Sequence, residues 1–201
     1  MITKGVDLSV YQQGVHYAQL RTDGFVFAYA RAYDGLVADP SHDGHVGCCR
    51  AVGIAAGSYQ YLEWSSDPVA QADKFLTTAT IAELRPVVDV ETLSAGKAVP
   101  PDAAQRTDAW CERVKRMCGI EPIVYASLYY WRAMCGQLPS LGGATGWDWW
   151  LADYCGPTHP IIGQPYVAHQ YAGNVPLAGQ PGLWDLDCVY DDNFDVLRVR
   201  S

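Results

Sequence analysis

Residues 85–93 read RPVVDVETL, a short apolar run that is followed closely by acidic side chains. Residues 86–90 are mostly apolar and β-branched, which predicts a buried strand. Asp89 and Glu91 are two positions apart, and side chains two apart on an extended chain point to the same face. A strand that directs two carboxylates to one side of its end indicates a functional site.

Similar short runs recur along the chain, with helical patterns between the early ones. The other strands are predicted at residues 5–9, 25–31, 55–61, 122–126, 149–153, 167–171 and 186–190. Asp67 and Pro68 predict a helix start, and an apolar stripe over residues 103–118 predicts a helix that ends at Gly119. After Ala126 the helical pattern fades, so residues 136–146 and 155–165 are predicted to be loops.

Strands that alternate with helices are typical of an α/β fold with a parallel sheet. Eight of them predict an irregular TIM-like (β/α) barrel of eight strands with a reduced set of outer helices. No linker, repeat or low-complexity stretch divides residues 1–201, so we expect a single domain. In such a barrel the carboxyl ends of the strands converge on one face, which holds the active site.

The charge and hydropathy of the chain exclude several classes of partner. The net charge is −8, and the 14 Lys and Arg residues form no basic patch, so we expect neither nucleic acid nor a membrane surface as a partner. No apolar run approaches the roughly 20 residues of a membrane span, and residues 1–14 lack the apolar stretch of a secretory signal. These features predict a chain that is kept in the cytoplasm.

The seven cysteines predict free thiols, because their number is odd and no secretory signal precedes them. His42, His45, Cys48 and Cys49 loosely match a zinc site. No second Cys/His pair at standard spacing follows them, so we expect neither a metal nor a cofactor.

Further acids lie at the ends of the chain. Asp7 ends the first predicted strand, and Asp185 and Asp187 accompany the last. Because the first and last strands of a barrel are neighbours, Asp7 and Asp185 should meet opposite Asp89 and Glu91. Such a cluster could bind a hard cation, form caps and salt bridges, or serve as a glycosidase pair. Crowded acids raise one another's pKa, and the aromatic segments YQY, WWLADY and HQY favour a site for sugars.

Seven segments, in this order, carry a resemblance over nearly the whole chain: GVDLSVYQ, GFVFAYARAYDG, AAGSYQYL, PVVDVE, PIVYAS, WWLADY and HQYAGNVPLAGQPGLWDLD. The sequence resembles the lysozymes of glycoside hydrolase family 25, the Chalaropsis-type muramidases. The resemblance implies an irregular barrel of eight strands with few helices. It also implies cleavage of the β-1,4 bond between N-acetylmuramic acid and N-acetylglucosamine in bacterial peptidoglycan.

The resemblance assigns roles to particular residues. Glu91 matches the general acid, Asp89 its charge-stabilising partner, and Asp7 the acid of the first strand. Asp185 matches the late acid of a D-L-N motif, with Asp187 in the Asn position. Positions that line the sugar groove are matched by Tyr59, Tyr61, Tyr125, Trp150, Tyr154 and Gln170.

Two positions depart from the family pattern: Gln60 replaces a frequent His, and His169 replaces a Trp, which would remove a stacking platform. The short chain without a signal resembles a bacteriophage endolysin, held in the host bacterial cytoplasm until it is released to the wall. We expect a monomeric catalytic barrel without a cell-wall-binding module. Two alternatives stay open: a metal-dependent hydrolase that uses the acids as ligands, and a non-catalytic glycan-binding barrel.

Overall fold

The computed structural model describes residues 1–91, 98–137, 146–158, 166–190 and 194–199. Its strands are β1 (Ile2–Leu8), β2 (Phe25–Asp34), β3 (Val37–Ala38), β4 (Ala55–Tyr61), β5 (Val87–Asp89), β6 (Ile123–Ser127), β7 (Asp148–Ala152), β8 (Ala168–Pro176) and β9 (Leu183–Tyr190). Its helices are α1 (Tyr17–Thr22), α2 (His42–Ala51), α3 (Pro68–Thr78), α4 (Ala103–Cys118) and α5 (Leu128–Gln137), with a 3₁₀ turn at Phe194–Leu197.

The strands form a closed barrel. The sheet order is β1-β9-β8-β7-β6-β5-β4-β2-β3, and a parallel pairing between β1 and β2 closes the ring. Strand β3 pairs with the end of β2 and stays outside the ring, so the barrel itself has eight strands. The predicted eight-strand α/β barrel with few helices is therefore confirmed.

The prediction of an all-parallel sheet is wrong at one strand. Strand β9 runs antiparallel to both of its neighbours, β8 and β1. Only residues 177–182 join β8 to β9, and a parallel crossover needs about a dozen residues or more. The reversal places the beginning of β9 at the barrel end where β5 terminates. We call this end, marked by Asp7, Asp89 and Asp185, the barrel mouth.

The predicted start of α3 and the predicted end of α4 agree with the structure, whereas α5 was not predicted. Helix α3 begins as expected, since Asp67 accepts a hydrogen bond from the Ala70 N–H at 2.7 Å. Helix α4 ends at Gly119, which adopts φ of 76°, a left-handed conformation that favours glycine. The predicted loss of helix after Ala126 is wrong, because α5 follows β6 directly.

Helix α5 was missed because its sequence, LYYWRAMCGQ, has aromatic side chains on several faces and little polar contrast. Tyr130, Trp131 and Met134 are buried against the outer face of the barrel. Of the two predicted loops, residues 138–145 and 159–165 lie outside the described part of the chain.

Large aromatic rings fill the barrel interior below the mouth. Phe27, Tyr29, Tyr125 and Trp150 belong to one buried cluster inside the ring of strands. A Cβ atom on Gly57 would lie 2.6 Å from the Tyr29 ring, so the absent side chain makes room for it. Fully burying one such ring contributes about 1.5–3 kcal/mol, and the filled interior gives the mouth a rigid floor. Within the described residues, no helix is both long and apolar enough to cross a membrane.

Candidate active site

The structure brings the four predicted acids together at the barrel mouth. Asp7 in β1 is the Cα partner of Asp185 in β9. Asp89 is the last residue of β5, and Glu91 follows it by two positions. The charges of Asp185 and Glu91 both act on Asp7, and those of Glu91, Asp7 and Asp185 act on Asp89. The four carboxyl groups therefore form one interacting set.

The main chain that carries Glu91 is held from one side by the end of β4 and the residues after it. The Leu62 N–H donates to the Asp89 carbonyl at 2.9 Å. The Tyr61 hydroxyl and the Trp64 indole N–H both donate to the Glu91 carbonyl, at 3.2 and 2.9 Å. Trp64 was missed from the sequence, because its position in the segment after β4 gives no sign that it reaches β5. These bonds fix the direction in which the Glu91 side chain leaves the strand.

Burial makes ionisation costly for Asp7 and Asp89. Asp89 is 8% exposed, and its Oδ1 makes no hydrogen bond. Burial first, and then the charges of Glu91 and Asp7, raise the pKa of Asp89 well above its usual range. Burial also dominates the raised pKa of Asp7, which a hydrogen bond from Gln170 partly opposes. At both residues, burial therefore makes the ionised form costly.

Glu91 has the protonation behaviour that a general acid needs. Burial, followed by the charge of Asp185, raises the pKa of Glu91 to about 7. A carboxylic acid with this pKa still holds a proton near neutral pH and can donate it to a leaving group.

The pKa of Asp185 is also raised, although this side chain is less deeply buried than those of Asp7 and Asp89. Burial raises the pKa of Asp185, and the Asn174 N–H opposes the rise by donating to Asp185 Oδ1 at 2.7 Å. Asn174 has φ of 55°, an unusual left-handed backbone for a residue other than glycine. The conformation of Asn174 thus serves a hydrogen bond to one of the mouth acids.

Gln170 links the acids to the predicted sugar groove. Its amide nitrogen donates to Asp7 Oδ2 at 2.9 Å. Its amide oxygen accepts from the hydroxyls of Tyr125 and Tyr154, at 2.8 and 3.1 Å. Gln170 therefore fixes the orientation of one carboxyl group and two phenols at once.

The predicted groove rings differ in how far they can reach a ligand. Tyr154 is 61% exposed, whereas Tyr59, Tyr61 and Tyr125 are nearly buried. Trp150 is 2% exposed, and its ring centroid lies 5.4 Å from that of Tyr125. Tyr154 is therefore the groove residue that is open to solvent, while Trp150 supports the mouth from below.

Asp187 lies deeper than Asp185 on the same face of β9. It is fully buried, its Cα partner in β1 is Gly5, and its carboxyl oxygens make no hydrogen bond that meets the usual geometry. Burial, then the charges of Asp7 and Asp185, raise its pKa well above the usual range. The greater exposure of Asp185 favours it as the late acid of the mouth, and that assignment stays a prediction.

The two departures from the family pattern lie away from the mouth. Gln60 is fully buried and bonds to the Gly35 carbonyl and the Trp110 indole. His169 precedes Gln170 and points to the other side of β8, where it contacts the Tyr190 hydroxyl at 2.8 Å. The expectation that His169 removes a stacking platform from the groove is therefore wrong.

The two histidines of the His/Cys cluster in α2 are engaged in hydrogen bonds. The two ring nitrogens of His45 contact the Tyr17 hydroxyl and the Ser9 carbonyl, at 2.6 and 3.0 Å. Those of His42 contact Asp43 and Ser58, both at 2.8 Å. In the part of the chain that is described, no three His, Cys, Asp or Glu side chains are placed to hold a metal ion. All seven cysteines are free thiols, as predicted.

Comparison with known proteins gives the same fold. The family model of glycosyl hydrolases family 25 matches residues 6–180. A lysozyme from Streptomyces coelicolor superposes with a TM-score of 0.80 at 20% identity, covering 94% of this chain and 92% of that one. A muramidase from Trichobolus zukalii gives 0.77 at 22% identity, covering 94% of each chain.

A third similar structure comes from a virus of bacteria. The catalytic domain of endolysin ply40, from bacteriophage P40 of Listeria monocytogenes, gives a TM-score of 0.74 at 19% identity. This superposition covers 96% of the present chain and 95% of the endolysin domain. A search of curated proteins found no match.

Proposed function

Because the chain belongs to glycosyl hydrolases family 25, we propose that it is a lysozyme that acts as an N-acetylmuramidase on bacterial peptidoglycan. It would hydrolyse the β-1,4 bond between N-acetylmuramic acid and N-acetylglucosamine. The observation that carries this proposal is the acid set of the mouth, in which Glu91 holds a proton to about pH 7 beside three other carboxyl groups.

Each acid has a proposed role that follows from its surroundings. Glu91 donates its proton to the glycosidic oxygen as the bond breaks. Ionised Asp89 stabilises the positive charge that develops on the sugar, and its burial makes that interaction strong. Asp7, held by Gln170, and Asp185, held by Asn174, complete the negative wall of the mouth.

The sugar chain would lie along the rim next to the acids. Exposed Tyr154 offers a ring face for stacking on a sugar. The hydroxyls of Tyr125 and Tyr154 are oriented by Gln170 and can exchange hydrogen bonds with sugar hydroxyl or acetamido groups. Tyr59, Tyr61 and Trp150 support this surface as buried neighbours of the acids.

We propose further that the enzyme serves as a bacteriophage endolysin, which waits in the cytoplasm of the host bacterium until it gains access to the wall. The similarity to the catalytic domain of a Listeria phage endolysin supports this role. The catalytic barrel would act as a monomer, with peptidoglycan as its substrate and without a cofactor, a nucleic acid or a membrane as partner.

The test is release of reducing sugar ends from purified peptidoglycan. Glu91→Gln keeps the shape of the side chain and removes the transferable proton, so it should lower the rate by about 10²–10⁴-fold. Glu112→Gln, on the exposed face of α4, makes the same chemical change away from the mouth and should keep the wild-type rate. Folded Glu91→Gln with wild-type activity would overturn the assignment of the acid.

A further inference from the structure

Arg31 is a buried cation close to the acids of the mouth. It lies in β2 and is 8% exposed. Strand β2 pairs with β4 so that Arg31 opposes Tyr59 and Tyr33 opposes Gln60, which leaves Ala32 as an extra residue. This bulge resets the alternation of side chains: Ala32 and Tyr33 pack in the outer core. Arg31 lies two residues after Tyr29, the Cα partner of Asp7, so its side chain leaves β2 on the side of that acid.

Several groups hold the Arg31 guanidinium in place. Its Nε donates to Asp39 Oδ2 at 2.9 Å, and its Nη1 donates to Asp34 Oδ2 at 3.3 Å. The Val10 N–H also donates to Asp39 Oδ2, at 3.0 Å, which ties the ion pair to the segment after β1. The Tyr11 ring lies against the guanidinium, with its centroid 5.3 Å from the central carbon. These contacts therefore hold the Arg31 guanidinium in one position.

We propose that Arg31 is a positioning residue that acts through Asp7 and Asp89, because its fixed positive charge favours the ionised form of these two acids over that of Glu91. This inference rests on the proposed function, since it assigns the ionised and the protonated partners of that reaction. A muramidase of this design needs ionised and protonated carboxyl groups side by side. Without a nearby positive charge, crowded carboxylates would all tend to take up protons.

The charges that act on Asp7 and Asp89 differ from those that act on Glu91, and this difference supports the proposal. The charge of Arg31 opposes the pKa rise of Asp7 and of Asp89, although burial outweighs it at both. The raised pKa of Glu91 is explained by burial and by Asp185. The positive charge therefore favours ionisation of Asp7 and Asp89 in particular.

The groups that face Arg31 come from every element around it. They are Asp7 from β1, Asp34 from the end of β2, Asp39 just after β3, Tyr59 from β4 and Asp89 from β5. Asp34 and Asp39 face it from outside the acid set, so they share its charge with Asp7 and Asp89. Removal of Arg31 should consequently raise the pKa of both mouth acids.

The experiment compares pH profiles of reducing-end release for the wild type, Arg31→Met and Arg31→Lys. For Arg31→Met we expect the acidic limb to move to higher pH by about one unit, because an opposite charge at close range shifts a carboxyl pKa by about that much or more. The alkaline limb, set by Glu91, should stay in place. Arg31→Lys keeps the charge and should restore the acidic limb. Arg113→Met breaks an ion pair with Asp73 on the outer helices and should leave both limbs unchanged.

A profile that is lowered uniformly, with its acidic limb unmoved, would overturn the proposal and leave Arg31 with a structural role only. If Arg31→Met does not fold, the double variant Arg31→Met/Asp39→Asn removes the whole buried ion pair and retains the acceptor for the Val10 N–H. Its acidic limb should show the same shift.

A second readout does not depend on turnover. The ¹³C carboxyl signal of Asp89 should titrate at higher pH in Arg31→Met than in the wild type. An unchanged Asp89 titration would refute the role of Arg31 whether or not the wild type cleaves peptidoglycan. Absence of activity in the wild type, by contrast, would refute the proposed function alone.

Discussion

Asp39 and Asp89 are both buried aspartates near the mouth, but they differ in the hydrogen-bond donors that surround the carboxyl group. Asp39 accepts hydrogen bonds from the Val10 N–H, the Arg31 guanidinium, and both the N–H and the hydroxyl of Ser41. Burial tends to raise its pKa, but these donors outweigh burial and the pKa is lowered. Asp89 has an Oδ1 without a hydrogen bond, and its pKa is raised well above the usual range.

The contrast shows that hydrogen-bond donors, rather than burial alone, decide what a buried carboxyl group does. Asp39 is satisfied by its donors and holds β2 to the segment after β1. Asp89 lacks a full set of donors, so its ionised form is left to be stabilised by a positive centre outside the protein. A site that keeps carboxyl groups in this state gives up stability in exchange for reactivity.

The largest expected effect concerns activity at Asp89. Asp89→Asn should lower reducing-end release by about 10³-fold, because a preorganised charge that stabilises the transition state is lost. Its free energy of unfolding should not fall, since the neutral amide needs no solvation of a buried charge. Urea unfolding and wall hydrolysis on the same preparation check both parts. A variant that remains active would break the contrast with Asp39.

Asp39 should show the opposite result, a loss of stability. Asp39→Asn leaves the buried Arg31 without its main counter-charge and should lower the free energy of unfolding by about 3 kcal/mol. Asp34→Asn is the matched control, because Asp34 pairs with the same guanidinium but its side chain is 40% exposed. That variant should change the free energy by less than about 1 kcal/mol. Equal losses in urea unfolding would contradict the assigned difference.

The third effect is a dependence of stability on pH. A carboxyl group whose pKa is raised by folding stabilises the protein below its unfolded pKa, and this contribution is lost as pH rises through the folded pKa. For Glu91 the loss occurs between about pH 4.5 and about pH 7. Glu91→Gln should therefore be more stable than the wild type at pH 8, by on the order of 2 kcal/mol, and similar to it at pH 4. A variant that is less stable at pH 8 would argue against a costly Glu91 charge.

Much of this arrangement was accessible from the sequence. Strand parity placed Asp89 and Glu91 on one side, and the order of the strands placed β1 beside the last strand. Asp185 lies beside Asp7 because β9 is antiparallel, which the sequence did not predict. The direction of β9 was missed because apolar runs carry no information on direction, although the short link before it excludes a parallel crossover.

The supporting contacts were not accessible. Arg31 and Asp39 pair through a turn and a bulge that change the register of β2, and neither feature has a periodic signature. Trp64 reaches the Glu91 carbonyl from the chain after β4, a contact between segments far apart in the sequence. Local patterns located the acids, while the donors that separate Asp39 from Asp89 required the folded chain.

Direct titration of Glu91 is the measurement that tests most closely whether the mouth keeps a buried carboxyl group protonated. In ¹³C-labelled protein, the side-chain carboxyl signal that is missing from Glu91→Gln belongs to Glu91. That signal should titrate with a midpoint of about 7, because burial and the charge of Asp185 disfavour its ionised form. A midpoint near 4.5, the value of an unperturbed glutamate, would show that Glu91 is ionised at neutral pH and would contradict its role as the proton donor.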